Sequence, residues 1–407
     1  MIVRALSFAA IPLLSGASEV PAIGAMPQAF VGGTPNSVKF LYEDARIYVP
    51  VRVGSGAVRW FILDTGATDT IIDGAVARAA HLPIRGRQTV AGAGAGTSQQ
   101  RETKGLTLLI GNVPMHVARP AVLDLARLLG PTSGRSPAGI IGSQFFLEHF
   151  VDVDFDRRRI TVYNPGEDRS AHYARAAKLT FADWTPLAHV VLTLPDGRLV
   201  RANALVDLGA KSTFLVPEPF IDREKLRDSF GKMVVTGFGA GVGGDTFYAF
   251  ARARRLGFAG APGAGVANPV IGLSVQGTLR STWNEGLLGA EFLSGFRLGF
   301  DYRHQRLLMS LAHRQPQPFD RSGLFLVAAG PGLRDIVVRQ ILAGGPGEAA
   351  GMMKGDRLLA LNGAPVSHLG LAAVRARLKQ PGNRSVAIIY LRGAVRRMAR
   401  LELGDLL

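Results

Sequence analysis

The 407-residue chain predicts a mostly β protein, a duplicated strand-rich lobe followed by a small α+β unit. Three observations carry this prediction. A hairpin ending in an Asp-x-Gly turn occurs twice, a Gly-apolar-apolar-Gly element follows each copy at nearly the same distance, and the composition changes after a Pro-rich joint at 315–318. The length suits two or three units. With 47% hydrophobic and 19% charged residues the chain can bury sizeable cores, which argues against wholesale disorder.

The chain opens with Arg4, an apolar run over 5–14 and the small residues Ser15, Gly16 and Ala17. This is the order of a secretory signal, so residues 1–25 are expected to be a signal peptide and the protein periplasmic or secreted. A cytoplasmic protein with an apolar leader is the alternative. The run is about half the length a bilayer crossing needs, and later apolar stretches are broken by charge, Gly or Pro, so no stable transmembrane anchor is expected.

From Arg46 the segment RIYVPVRVGSGAVRWFILDTGATDT reads as two alternating strands joined by Gly54-Ser55-Gly56. The second strand ends in the apolar run Trp60 to Leu63, then Asp64-Thr65-Gly66-Ala67-Thr68. From His189 the segment HVVLTLPDGRLVRANALVDLGAKST repeats the plan, with its turn at Pro195-Asp196-Gly197 and its motif at Asp207-Leu208-Gly209-Ala210-Lys211. Downstream, GIIGSQFFLEHFVDVDFDRRRITVY from Gly139 parallels GLLGAEFLSGFRLGFDYRHQRLLM from Gly286. The first Asp precedes its Gly-apolar-apolar-Gly element by 75 residues and the second by 79. Landmarks in the same order at nearly the same spacing mark an internal duplication.

Each copy carries a glycine-rich stretch, Gly92 to Gly96 in the first and Gly237 to Gly244 in the second. The latter contains a formal GxGxxG at Gly239, Gly241 and Gly244. A dinucleotide fingerprint must open a helix, and the following Asp245 to Phe250 reads as strand, so a hairpin or loop is expected. After the joint come strands at 323–327, 335–341 and 357–361, an Asn362-Gly363 turn, a helix around 368–379 and two last strands.

The residues available for chemistry are restricted. No cysteine is present, which excludes disulfides, thiolate nucleophiles and Cys-ligated metals. The eight histidines form no HExxH pattern, so no metal and no cofactor is expected. The net charge of +16 comes from 47 cations of which only eight are lysine, an arginine habit rather than a nucleic-acid signature. Arg157 to Arg159 and Arg396-Arg397 sit at strand turns without interleaved aromatics and read as solvated surface. Asp69 and Asp73 read as solvated or capping groups, and Asp152, Asp154 and Asp156 as one solvated strand face. The two copies each present an Asp, Asp64 and Asp207, held at the end of a rigid strand with a glycine permitting a sharp turn, and a pseudo-twofold arrangement can bring the pair together. Two carboxylates about 3 Å apart share a proton, so one can take a proton from water while the other hydrogen-bonds a carbonyl.

Asp64-Thr65-Gly66-Ala67-Thr68 with Gly139-Ile140-Ile141-Gly142 resembles the retropepsin-like aspartic peptidases, and the repeat extends the resemblance over both lobes in a pepsin-like arrangement. The resemblance implies two β-barrel-like acid-protease lobes, at 26–170 and 171–317, and a polypeptide substrate. It implies Asp64 and Asp207 as catalytic residues, with Thr65, Gly66, Thr68, Gly209, Gly142 and Gly289 supporting the active-site loops. It also implies that Gly92, Gly94, Gly96, Gly239 and Gly241 belong to flaps over the substrate. Leu208 departs from the family's Thr/Ser, and Lys211 stands where lobe one has Thr68. Asp207 completing the pair, a degenerate second lobe, and pairing of two first lobes in a homodimer all stay open.

The stretch GGPGEAAGMMKGDRLLALNG resembles the PDZ domains of bacterial proteases, which assigns 318–407 to a PDZ-like domain. The resemblance implies capture of protein C-termini, with Arg321, Ser322, Gly323 and Leu324 in the carboxylate-binding loop. The expected function is therefore an aspartic endopeptidase with a peptide-binding domain. A non-catalytic peptide-binding protein with a degenerate protease fold is the rival from another class.

Overall fold

The computed structural model describes residues 36–94, 96–241, 243–275, 279, 282–313 and 318–407. The expected signal peptide at 1–25 and most of the Pro-rich joint lie outside the described residues.

The duplication is visible strand by strand. In lobe one Arg46–Val53 pairs antiparallel with Val58–Leu63, with Tyr48 opposite Ile62. Phe61, Ile62 and Leu63 are all buried. Alternation stops there because a strand covered on both faces needs apolar side chains on both. Gly139–Ile141 then runs parallel to Val58–Leu63 and antiparallel to Ile71–Asp73. Lobe two repeats each step: Thr185–Thr193 pairs with Leu199–Asp207. Gly286–Gly289 lies parallel to Leu199–Asp207 and antiparallel to Phe214–Val216. Asp64 and Asp207 therefore leave equivalent strands at equivalent points.

The glycines that open the paired elements are required for space. A Cβ at Gly139 would stand 2.0 Å from Phe61 Cε1, and one at Gly286 2.2 Å from Phe214 Cζ. Each phenylalanine ring occupies the place a side chain would need.

The lobes join edge to edge through a common floor. Asn36–Lys39, Arg159–Tyr163 and Phe150–Asp154 continue into Phe296–Asp301, Arg306–Leu311 and Arg175–Ala182. At the seam Val151 faces Phe300 and Val153 faces Leu298. Phe146 packs on Phe300 with ring centroids 5.0 Å apart, and one apolar core runs through both lobes.

This floor corrects the reading of Asp152 and Asp154 as solvated. Both are buried, because their strand lies inside the continuous sheet. Asp152 accepts a hydrogen bond from the Tyr173 hydroxyl at 2.9 Å and pairs with Arg297 at 2.7 Å across the seam. Asp154 accepts the Arg157 N–H at 2.8 Å. Asp156 is exposed as expected. Asp73 caps the helix Gly74–Ala79 through the Ala75 N–H and also accepts the Leu125 N–H at 2.9 Å. No group of acids and histidines among the described residues could hold a metal ion.

The C-terminal unit is a sheet of Leu324–Ala329, Asp335–Ile341, Arg357–Leu361, Ser385–Arg392 and Val395–Glu402, in that order. Leu371, Val374 and Leu378 of Val366–Lys379 enter its core. The backbone leaves helical geometry at Gly370, φ 74°, so the regular helix is only the C-terminal part of that segment. Asn362 and Gly363 both have positive φ, the geometry of the tight turn their sequence predicts. Among the described residues no helix is long and apolar enough to cross a membrane.

The packing around Gly139 can be tested directly. Gly139→Ala forces its methyl into Phe61 and is expected to cost about 1–3 kcal/mol. Gly231→Ala meets nothing within 4 Å and serves as the control. Urea unfolding should show a lower midpoint for the first variant alone, and equal midpoints would contradict the packing.

Candidate active site

Asp64 and Asp207 are fully buried and meet between the lobes. A Cβ at Gly66 would lie 2.6 Å from Asp207 Cγ, and one at Gly209 2.2 Å from Asp64 Cγ. Each carboxyl therefore rests on the glycine of the other loop, and any side chain at either position would exclude it. Each loop fixes its own acid in the same way. Asp64 Oδ1 accepts the N–H groups of Gly66 and Ala67 at 2.9 and 3.1 Å. Asp207 Oδ1 accepts those of Gly209 and Ala210 at 2.7 and 3.0 Å.

The Oδ2 atoms take no hydrogen bond from the backbone or from a side chain outside the pair. Two carboxyls this close in a fully buried site disfavour carrying two charges at once, so a shared proton is the form such a pair favours. Burial raises the pKa of both, and for Asp64 the charge of Asp207 adds to it. For Asp207 the Asp64 carboxyl, its own loop N–H groups and the Arg46 charge work against that rise.

Thr65 supplies the bond that ties the loops together. Its hydroxyl donates to the Val206 carbonyl at 2.6 Å and accepts the Leu208 N–H at 3.0 Å. Leu208, fully buried, returns no side-chain bond, so the linkage is one-sided. Gly142 and Gly289 lie beneath the loops, where a Cβ would approach the Asp69 carbonyl to 2.5 Å and the Ser212 carbonyl to 2.3 Å. The hydroxyl of Thr68 is buried without a partner among the described residues. Thr70, which sequence reading passed over, accepts the Gly142 N–H at 3.3 Å and takes the supporting place expected of Thr68.

Lys211 does not face Asp207. Its ammonium lies 3.3 Å from Asp44 Oδ2, and Arg375 of the C-terminal unit reaches the same carboxylate. Burial and the Arg375 charge push the Lys211 ammonium down to about 7, although Asp44 opposes them. Burial would raise Asp44, but Lys211 and Arg375 hold it well below the usual carboxylate range.

Both glycine-rich stretches are hairpin tips. Ile84–Ala91 pairs with Thr97–Thr103, and Val234–Gly241 with Gly244–Arg252. The tips touch: the Gly96 N–H donates to the Gly243 carbonyl at 2.9 Å. A Cβ at Gly94 would stand 2.5 Å from Gly243 C, and one at Gly241 2.9 Å from Ala93 Cβ. Gly92 belongs to the same tip, whereas a Cβ at Gly239 would lie 3.5 Å from Lys211 Cε. The second hairpin also brings Tyr248, buried, within range of the Asp207 charge, and burial with that charge raises its hydroxyl pKa. Tyr302 approaches from below, beside Ser143, whose hydroxyl donates to the Thr65 carbonyl at 3.0 Å. Neither tyrosine was singled out from sequence, and the only signal was the proximity of Tyr248 to the second glycine stretch.

The carboxylate-binding loop is arranged differently from its expectation. Arg321 donates to the carbonyls of Gln380, Asn383 and Leu403 at 2.7, 2.8 and 3.2 Å, so it ties chain segments together. The Gly323 N–H donates to Asp320 Oδ2 at 2.7 Å, and the Leu324 N–H to the Ser322 hydroxyl at 3.1 Å. An internal carboxylate thus occupies the loop that was assigned to a ligand.

Residues 49–145 match the aspartyl protease family model, and residues 337–392 match the PDZ domain model. The chain therefore carries an aspartyl protease region and a C-terminal PDZ domain. The first match includes Asp64 and Gly142 and stops before lobe two. No curated protein sequence matches the chain. Among solved structures, an aspartic proteinase from Irpex lacteus is similar over 69% of this chain and 98% of its own, at 13% identity and TM-score 0.42.

Two outcomes follow from the site. Thr65→Val removes the hydroxyl at constant shape and strands two buried backbone groups, an expected loss of about 2–4 kcal/mol in urea unfolding. For the acids, the folded state holds its shared proton to higher pH than the unfolded chain, so stability is lost as pH rises through the raised pKa. Asp64→Asn removes that dependence. It should exceed wild type in stability at pH 7 by on the order of 1–3 kcal/mol, with no gain near pH 3. Parallel stability–pH curves for the two proteins would contradict a shared proton.

Proposed function

We propose that the protein is an aspartic endopeptidase in which Asp64 and Asp207, from the two lobes of one chain, activate a water molecule against a peptide carbonyl. The observation that carries this reading is the contact of each carboxyl with the other loop's glycine. That contact forms within one chain and supports pairing of the two lobes rather than of two first lobes in a homodimer. Lys211, turned to Asp44, leaves the pair free of an ammonium.

With one shared proton the pair holds both species the reaction needs. The ionised member takes a proton from water as the oxygen attacks, and the protonated member gives its proton to the carbonyl oxygen. A proton returned to the leaving amine completes the cleavage. The titration belongs to the pair, and either carboxyl can serve as the base while the other serves as the acid. The touching hairpins exclude bulk water and present backbone groups to an extended peptide. The proposed organisation is lobe one at 26–170, lobe two at 171–317 and the PDZ domain at 318–407, the last binding peptide segments of substrate or partner.

A panel of quenched-fluorescence peptides incubated with wild type, Asp64→Asn and Asp207→Asn tests this reading. Wild type should cleave, with an alkaline limb above the ordinary carboxylate range because both pKa values are raised. Each variant should lose roughly 10²–10⁴-fold in kcat/KM. Absence of cleavage by wild type between about pH 3 and 8 would sink the proposal, since that range covers a coupled carboxyl pair. Loss in Asp64→Asn alone would favour two first lobes pairing between chains.

A further inference from the structure

A buried guanidinium stands beside the paired acids with hydrogen bonds unfilled. Arg46 opens the strand Arg46–Val53 and is only 4% exposed. Its Nε and Nη1 are buried and meet no acceptor among the described residues. An ionised group kept out of water without a partner is costly, and buried charges are ordinarily paired. The scheme proposed for the acids gives this one no task.

The strand register places it at the site. Tyr48 faces Ile62, so two residues on Arg46 comes level with Asp64. Side chains two apart share a sheet face, which puts Arg46 on the side of Tyr48. Ile47 and Val49 point the other way, into the core common to both lobes. Tyr48 belongs instead to a cluster with Ala67 of the active-site loop, Val90 of the first hairpin and Ala93 at its tip. Arg46 thus shares the face that the first hairpin covers, and its charge reaches Asp207.

The carboxylates that could neutralise it are engaged elsewhere. Glu43, opposite Arg46 in the neighbouring strand, turns to Arg135 at 2.8 Å. Asp44 is held by Lys211 and Arg375. Asp207 rests on its own loop and on Asp64. The duplicated lobe sharpens the point. Leu187 faces Leu205, so the residue level with Asp207 is Thr185, whose hydroxyl donates to the Ala182 carbonyl at 2.5 Å. One lobe fills this place with a small satisfied side chain, the other with a cation that lacks an acceptor.

We infer that Arg46 is a specificity-determining residue that takes the side-chain carboxylate of an aspartate or glutamate close to the scissile bond of the substrate. The inference rests on the peptidase reading above and narrows its substrate class to acidic segments. A carboxylate suits the vacancy because a guanidinium donates charge-assisted hydrogen bonds to it. The substrate brings the missing counterion, and the cost of the unpaired charge disappears on binding. A neutral glutamine in the same place leaves the charge uncompensated.

The experiment uses the full chain and quenched-fluorescence octapeptides blocked at both ends. Each peptide is made in a Glu and a Gln version, with the exchange at one position at a time. At one position near the cut, wild type should prefer Glu over Gln by at least about ten-fold in kcat/KM, the scale of a hydrogen bond to a charged group. Arg46→Met, which keeps the apolar stem, should bring that ratio to about one, with the loss carried by KM. The same variant should unfold at higher urea than wild type, because it removes a buried charge that has no partner.

Equal rates for Glu and Gln at every position overturn the inference, as does a ratio that survives Arg46→Met. A fall in kcat with the ratio unchanged assigns Arg46 to the support of Asp207 and overturns it too. So does a lower urea midpoint, which would mean that the fold itself uses the charge. If wild type cuts no peptide, the peptidase reading fails. Fluorescein-labelled versions then decide the role of Arg46 by anisotropy. Tighter binding of a Glu version that Arg46→Met abolishes supports it, and equal binding of the two versions overturns it.

Discussion

Two buried carboxyls held face to face are the constraint on which the rest of the structure depends. Each rests where the other loop has only a glycine, so the lobes cannot separate or slide without breaking both contacts. The arrangement is costly, since burial and like charge both disfavour ionisation. The offsetting terms are spread widely: loop N–H groups on each Oδ1, a hydroxyl that spans the loops, a sheet continuous across the seam, and an apolar core shared by both lobes. A local defect in any of these is a defect in the spacing of the acids.

The duplicated halves are not equivalent in chemistry. Thr65 bonds both the carbonyl of Val206 and the N–H of Leu208, so lobe one supplies the whole side-chain linkage. Leu208 is fully buried and fills apolar space instead. Arg46 adds a second asymmetry. Its guanidinium is buried, with two nitrogens lacking partners among the described residues, and its charge draws the Asp207 pKa down. The two carboxyls therefore stand in unlike surroundings although the plan is two-fold.

What was legible from sequence was what local pattern encodes. Strand–turn–strand units, the Asp-x-Gly turns, and glycines that must lie beneath them all leave marks within a few residues, and duplication marks them twice. The tight turn at Asn362-Gly363 was legible for the same reason. Partners distant in the chain were not. Asp152 reads as a surface residue because nothing near it announces Arg297, 145 positions on, across a seam that exists only after the lobes join. Lys211 stands near Asp207 in the sequence, in the place of Thr68, yet it meets the carboxylate of Asp44, 167 positions away. Arg321 reads as an anion ligand, yet it serves three backbone carbonyls that only the folded unit assembles.

The loop after Asp207 faces two ways, and this bears on why so polar a cluster survives at the lobe junction. Apolar residues of similar size often stabilise a fold better than buried ion pairs do, so a buried cluster is weak ground for a purely structural role. Asp44, Lys211 and Arg375 come from lobe one, lobe two and the PDZ domain, and each is about nine-tenths buried. Apolar packing at that junction would bind three bodies without distinguishing one arrangement from another. Charges that pair across all three bodies make this part of the junction depend on their meeting. The loop that positions Asp207 is thus tied, through Lys211 and the carboxylate it shares with Arg375, to the seat of the PDZ domain.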